Sequence, residues 1–175
     1  KYFLSHKQFT DLPAPARHLV DMKSYKYFIE GEPALSLIAQ LGCPFHCTFC
    51  SGRNSPFLRK IRLRDIDAVV DEVEMLYLTY GVKGFMFYDD ELNVNKNMVP
   101  MMNKLCDLQD KHGVDFMLRG FVKAELFNDE QADAMYRAGF RWLLTGFESG
   151  DPTILSNIKK IATRDDNTRC VNIAK

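Results

Sequence analysis

Residues 64–88 read RDIDAVVDEVEMLYLTYGVKGFMFY, and a change of period inside them decides the fold. Ile66, Val69, Val70, Val73, Leu76 and Tyr80 recur every three or four positions, which places them on one face of a helix over residues 64–80. Gly81 is a natural stop for that helix, because a glycine accepts the left-handed conformation that helix ends favour. The run GFMFY at 84–88 is continuously apolar and too short for another helix, as in a strand buried on both faces.

The same alternation continues on both sides. Upstream, ALSLIAQL at 34–41 predicts a first strand, ended by Gly42 and Cys43-Pro44. Downstream, Met98, Met101, Met102, Leu105 and Leu108 predict a helix with Asn95 as its cap and Gly113 after it. Residues 114–118 predict a third strand, running on towards Val122. Asn128 followed by Gln131 resembles a capping box for a helix ending near Gly139. RWLLTGF at 141–147 predicts the fourth strand, and residues 151–160 and 163–174 look helical. Four strand–helix repeats imply an α/β fold of parallel strands with right-handed crossovers. Residues 1–33, with Pro13, Pro15 and Pro33, read as an extended lead-in, and residues 34–175 as the core. The chain opens on Lys1 instead of Met and stops at Lys175 straight after a helical pattern, and both ends read as cut.

In parallel sheets and barrels, sites form at the carboxyl ends of the strands. The chemistry-bearing residues stand there: Cys43, Cys47 and Cys50 after the first strand, Asp89, Asp90 and Glu91 after the second, Lys123 and Glu125 after the third, and Glu148 after the fourth. The cysteines lie in GCPFHCTFC (42–50), with spacing C-x3-C-x2-C. Three thiolates on one tight loop can each hold one iron of a cubane cluster, leaving the fourth iron open to a substrate or cofactor. A zinc site would need a fourth ligand, and His46, adjacent to Cys47, closes a tetrahedron awkwardly.

Composition narrows the function classes. Lys plus Arg equals Asp plus Glu at 23 each, without the basic excess of a nucleic-acid binder. No apolar stretch approaches the roughly 18 residues of a membrane span, and no signal-peptide pattern opens the chain. Five cysteines, three of them within eight residues, argue for metal ligation in a reducing compartment and against a disulfide framework, so a cytoplasmic setting is expected. The methionines at 98, 101 and 102 and the single Trp142 are expected in the core. Cys106 reads as a small buried hydrophobe, and Cys170 is given no role.

The cysteine spacing, with an aromatic residue (Phe49) before the last cysteine, resembles the signature of the radical S-adenosylmethionine (SAM) superfamily. The resemblance implies a partial (β/α)6 barrel of the TIM type, of which about four β/α units are counted here, the core being incomplete at its C-terminal side. It implies a [4Fe-4S] cluster on Cys43, Cys47 and Cys50, with SAM chelated at the open iron. There the reduced cluster donates one electron and releases a 5′-deoxyadenosyl radical. It also implies SAM contacts: Phe49 near adenine, Asp89, Asp90 and Glu91 towards the amino group, and Glu148 within Gly146-Phe147-Glu148-Ser149-Gly150 towards the ribose or the amino group. Lys123 falls where relatives carry an arginine for the SAM carboxylate. A lysine lacks the bidentate fork, and Arg119 is the alternative. Residues 12–22 (LPAPARHLVDM) are similar to the linker after a cobalamin-binding domain in cobalamin-dependent members. The expected activity is cobalamin-dependent methylation or remodelling of a small molecule, with an external one-electron reductant of flavodoxin or ferredoxin type. A cobalamin-independent methylthiotransferase is the alternative enzyme, and a non-catalytic cysteine-ligated metal module the alternative from another class.

Overall fold

The computed structural model describes residues 3–175. The strands are β1 (Phe28–Ile29), β2 (Glu32–Leu37), β3 (Gln40–Leu41), β4 (Arg62–Leu63), β5 (Gly84–Phe87), β6 (Met117–Phe121) and β7 (Phe140–Leu144). The helices are α1 (His6–Thr10), α2 (Ile66–Tyr80), α3 (Met98–His112), α4 (Asp129–Ala138), α5 (Pro152–Asn157) and α6 (Arg164–Ala174). One sheet runs in the order β1-β2-β5-β6-β7, in which β2, β5, β6 and β7 are mutually parallel and β1 is antiparallel to β2. Each parallel strand lies beside its predecessor, and α2, α3 and α4 make the crossovers. The sheet therefore keeps curling in one direction, as a half-barrel does.

Period 2 in the strands separates the two faces. Leu35, Leu37, Phe85, Phe87 and Leu118 point outward and pack, fully or nearly fully buried, against Val73, Leu76, Met101, Met102 and Leu105 of α2 and α3. Each such side chain stabilises the fold by about 1.5–3 kcal/mol through loss of apolar contact with water. The three methionines of α3 are core, as expected. The alternate residues Ala34 and Met86 point to the concave face with Ile29 of β1, and Met117 and Leu144 pack beside them.

Helix ends follow local chemistry. Asp65 caps α2 by accepting from the Asp67 and Ala68 N–H groups, and Gly81 ends it at φ 67°. Asn128 caps α4 through the Gln131 N–H, at 2.9 Å. Only half of the expected capping box forms, because the Gln131 side chain instead accepts from Asn93. Asn97, not Asn95, stands at the N-terminus of α3. Asn95 is two residues earlier and accepts the Asn97 N–H.

Two further expectations are corrected. The strand over 34–41 breaks at Leu37: Gln40 and Leu41 leave the main sheet and pair antiparallel with Leu63 and Arg62. That small ribbon closes the base of the loop carrying the cysteines. The lead-in also packs. Its helix α1 is capped reciprocally by Ser5 and Gln8, and its strand β1 extends the sheet. Arg17 donates to the Ser36 carbonyl at 2.9 Å and pairs with buried Glu72 at 2.8 Å, while Arg64 holds the other Glu72 oxygen at 2.6 Å. Among the described residues no helix is long and apolar enough to cross a membrane.

Candidate active site at the carboxyl rim

The cysteine loop leaves the sheet through Gly42, at φ 94°, and a Cβ there would overlap the Lys60 carbonyl. Its backbone is fastened at several points. The Cys43 N–H donates to Leu58 O (2.9 Å), Arg59 Nη2 to Pro44 O (2.7 Å) and the Cys50 N–H to Cys47 O (3.2 Å). The Thr48 N–H donates to Ile158 O at 2.8 Å, which ties the loop to the segment after α5. Arg59 also engages the His46 ring.

All three thiols are free; those of Cys43 and Cys47 are half-buried and that of Cys50 is exposed. Burial pushes the Cys43 thiol above its usual range, so a bound cation is what would hold it as thiolate. Among the described residues no three His, Cys, Asp or Glu side chains gather around one metal ion. Thiolates on a single tetrahedral zinc lie about 3.8 Å apart, given Zn–S bonds of about 2.3 Å. A cubane asks for wider spacing, because each thiolate takes its own iron. A fastened loop of three soft donors, with its histidine held by Arg59, fits the cluster better than a closed single-ion site.

The acidic triplet after β5 separates into three environments. Asp89 is 1% exposed; its Oδ2 accepts from the Ala39 N–H at 3.3 Å, and burial pushes its carboxyl up to about 7. Asp90 accepts the Gly42 N–H at 2.7 Å and so joins the second strand end to the root of the cysteine loop. Glu91 is half-buried; desolvation raises its carboxyl to about 7, against the pull of Lys123 and Lys160.

Lys123 follows β6 and is 2% exposed. Its Nζ lies 4.1 Å from the centroid of the Phe45 ring, inside the cysteine loop, and 2.6 Å from Glu125 Oε1. Its backbone is held in both directions by Asn93, which accepts the Lys123 N–H (2.8 Å) and donates to its carbonyl (3.0 Å). Glu148 has φ 60°, an uncommon conformation for a non-glycine residue, and its Oε1 is 3.6 Å from Lys160 Nζ. Buried oxygens of Asp89 (Oδ1), Glu125 (Oε2) and Thr145 (Oγ1) lack hydrogen-bond partners in the protein, which marks a rim shaped for donors from elsewhere.

Phe49 is 55% exposed on the loop. Arg119 lies within β6 in the concave row, its guanidinium 6.0 Å from the Trp142 ring. Trp142, expected in the core, is 51% exposed on β7. Asn93 and Lys160 were not singled out from the sequence, since neither stands in a motif or at a periodic position. The only cue to Lys160 is its place at the end of a short helical pattern just after Glu148.

A curled sheet of parallel strands with a three-cysteine loop on its first strand and carboxylates on the next defines a cluster-bearing half-barrel. The profile of the Radical SAM superfamily matches residues 37–175, and the chain belongs to that superfamily. It is similar to an uncharacterized methyltransferase of Pyrococcus horikoshii, with 30% identity over 168 residues, 94% of this chain and 35% of the relative. It is also similar to an anaerobic magnesium-protoporphyrin IX monomethyl ester cyclase of Rubrivivax gelatinosus, 30% identical over 138 residues, 77% of this chain and 24% of that one. Among solved structures it resembles the radical SAM methyltransferase TsrM of Kitasatospora setae with cobalamin and a [4Fe-4S] cluster bound. The TM-score is 0.71 at 21% identity, over 82% of this chain and 29% of TsrM, a likeness of fold. The chain thus spans about a third or less of each.

Proposed function

We propose that the protein is a cobalamin-using radical SAM methyltransferase acting on a small molecule, and that this chain holds the cluster and SAM. The observation that carries this reading is the junction of the cysteine loop with the next two strand ends, made by Asp90 on the Gly42 N–H and Lys123 over Phe45. When bound, the cluster supplies the electron that cleaves SAM to a 5′-deoxyadenosyl radical. Cys43, Cys47 and Cys50 would take three irons and leave the fourth open. Asp90 and Glu91 offer negative charge to the SAM ammonium, Lys123 and Lys160 offer cations to its carboxylate, and Glu148 faces the ribose. Phe49, exposed on the loop, would lie against the adenine. Exposed Cys50 is the edge through which an external flavodoxin- or ferredoxin-type reductant delivers the electron. Cobalamin and methyl transfer are supported by the likeness to the Pyrococcus methyltransferase and to the TsrM fold.

The test is anaerobic reconstitution of the protein, then SAM and a strong reductant. The reading expects release of 5′-deoxyadenosine, a SAM-induced change in the electron paramagnetic resonance of the reduced cluster, and retention of added cobalamin. An intact cluster that SAM neither perturbs nor is cleaved by would overturn it.

A further inference from the structure

Glu148 stands in a backbone conformation that its side chain does not favour, and one buried residue of α6 holds it there. Its φ of 60° lies in the left-handed region. The Ser149 N–H donates to the Phe147 carbonyl across it at 2.7 Å. A three-residue turn of this hand is rare and strained, and it persists only where surrounding contacts fix it.

Those contacts come from Asn167. It is 8% exposed, and its amide NH2 donates to the Phe147 carbonyl at 3.3 Å and to the Ser149 carbonyl at 3.4 Å, one on each side of Glu148. Only the donor end of an amide can face two carbonyls, so the orientation of the side chain is fixed. Its base is rigid: Thr163 and Asp166 cap α6 reciprocally, and the Asn167 N–H donates to the Thr163 carbonyl at 3.1 Å.

The turn decides where the carboxylate goes. A Cβ on Gly146 would collide with Glu148 Oε1 and stand 3.5 Å from Lys160 Nζ. The Glu148 side chain therefore folds back across the bare backbone of Gly146, just past β7, and meets Lys160 there. With an ordinary negative φ at residue 148 the Cα–Cβ bond points elsewhere, and the carboxylate leaves that position.

We propose that Asn167 is a positioning residue of the rim: by clamping the turn from both sides it directs the Glu148 carboxylate at bound SAM. Asn167 acts through Glu148 and not on the ligand itself. The proposal rests on the reading of Glu148 as a SAM contact and adds the residue by which that contact is kept in place.

The experiment is a double-variant cycle on SAM affinity in the cluster-reconstituted protein. Affinity is read by equilibrium dialysis and by the SAM-induced change in the electron paramagnetic resonance of the reduced cluster. Asn167→Ala should weaken SAM binding by about tenfold, the scale of one lost charge-assisted hydrogen bond. Asn167→Asp keeps the outline and suits the first turns of a helix but has no donor, and should weaken it as much. In a Glu148→Ala background, Asn167→Ala should cause no further loss, because no carboxylate remains to be directed. Asn172→Ala, exposed on the same helix, should bind SAM as the unaltered protein does.

A second readout needs no SAM. Glu148→Gly should raise the midpoint of denaturant unfolding, since glycine accepts the left-handed turn, and should raise it less once Asn167→Ala has released the clamp. Unchanged SAM affinity in Asn167→Ala and Asn167→Asp, equal losses in both backgrounds, or an equal gain from Glu148→Gly with and without Asn167 would overturn the proposal. If one of these occurs while SAM still binds and perturbs the cluster, the rim reading survives without Asn167. If SAM neither binds the unaltered protein nor perturbs its cluster, the rim reading falls and the proposal falls with it.

Discussion

The two faces of one sheet behave as different materials. On the convex face every inward-packing strand residue is apolar, and side chains such as Phe85, Phe87 and Leu118 are wholly removed from water beneath α2 and α3. The concave face buries only a small cluster of Ile29, Ala34 and Met86, and towards the carboxyl rim the alternate residues and the loops after the strands carry the cations, carboxylates and exposed rings. Strand geometry forces this partition, since neighbours in sequence must face opposite ways. Stability is concentrated on one side. The other is free to hold buried charge, unpartnered oxygens and exposed aromatics that a core would not tolerate.

The difference is broken most severely at the cysteine loop. Replacing Cys43, Cys47 or Cys50 singly by Ser should abolish a stable cluster, taking the reconstituted protein from about four iron atoms per chain to a small remainder, with the helical signal by circular dichroism unchanged. Cys106→Ser and Cys170→Ser, on helices packed against the convex face, should leave the iron content as it was. Retention of a full cluster by any one of the three loop variants would remove that cysteine from the ligand set.

Next in size is a matched pair of aromatic truncations on adjacent strands. Phe87→Ala on the convex face should cost about 3–5 kcal/mol in denaturant unfolding, through lost burial plus a cavity. Phe121→Ala, with its ring 36% exposed on the concave face, should cost less than about 1 kcal/mol. Similar costs would mean that the small concave cluster of Ile29, Ala34 and Met86 extends as core up to Phe121.

Buried charge sharpens the contrast. Asp89 has its folded carboxyl raised to about 7 by burial, well above the ordinary carboxylate range. Below pH 4 the folded and unfolded chains both hold its proton. Between about pH 4 and 7 only the folded chain does, so stability falls as pH rises across that window and levels off above it. Asp89→Asn, which can still accept the Ala39 N–H, should gain on the order of 2 kcal/mol at pH 8 and almost nothing at pH 4. Glu91, raised by the same cause, keeps part of the slope in that variant. Unfolding curves at pH 4, 6 and 8 decide it, and a gain independent of pH would contradict the buried-charge account.

What the sequence made legible follows the range of the forces involved. The β5 and α2 spans, Gly81 as a stop, Asp89 to Glu91 at a strand end and the spacing of the three cysteines all depend on neighbours within a few turns. The break of the first strand does not: Gln40 and Leu41 leave the sheet because Leu63 and Arg62, more than twenty residues away, offer a competing partner. Arg17 in the lead-in is ordered by Glu72, 55 residues on, which turns an apparently extended segment into packed structure. Lys160 reaches the rim only because α5 ends and the chain returns under the cysteine loop, where Ile158 accepts from Thr48. Trp142 looks like core by composition. Its position in β7 sends it to the face that the helices do not cover.

The smallest effect separates two glycines of similar backbone conformation, one before β2 and one after β3. Gly31 has φ 82° and nothing within 4 Å of where a Cβ would stand, whereas Gly42 has φ 94° and meets the backbone of Lys60 and Leu58. Gly31→Ala therefore carries only the conformational cost of a left-handed alanine, about 1 kcal/mol, and should leave iron binding alone. Gly42→Ala carries that cost and must also push the cysteine loop off the strand that fastens it, loosening the Cys43–Leu58 and Gly42–Asp90 hydrogen bonds. It should lose roughly 1 kcal/mol more than Gly31→Ala and reconstitute with less iron. The measurement is paired: unfolding free energy and iron per chain for both variants. Equal iron content in the two would mean that the loop can hold its cluster without being fixed at its root, and that the rim is less rigid than its hydrogen bonds imply.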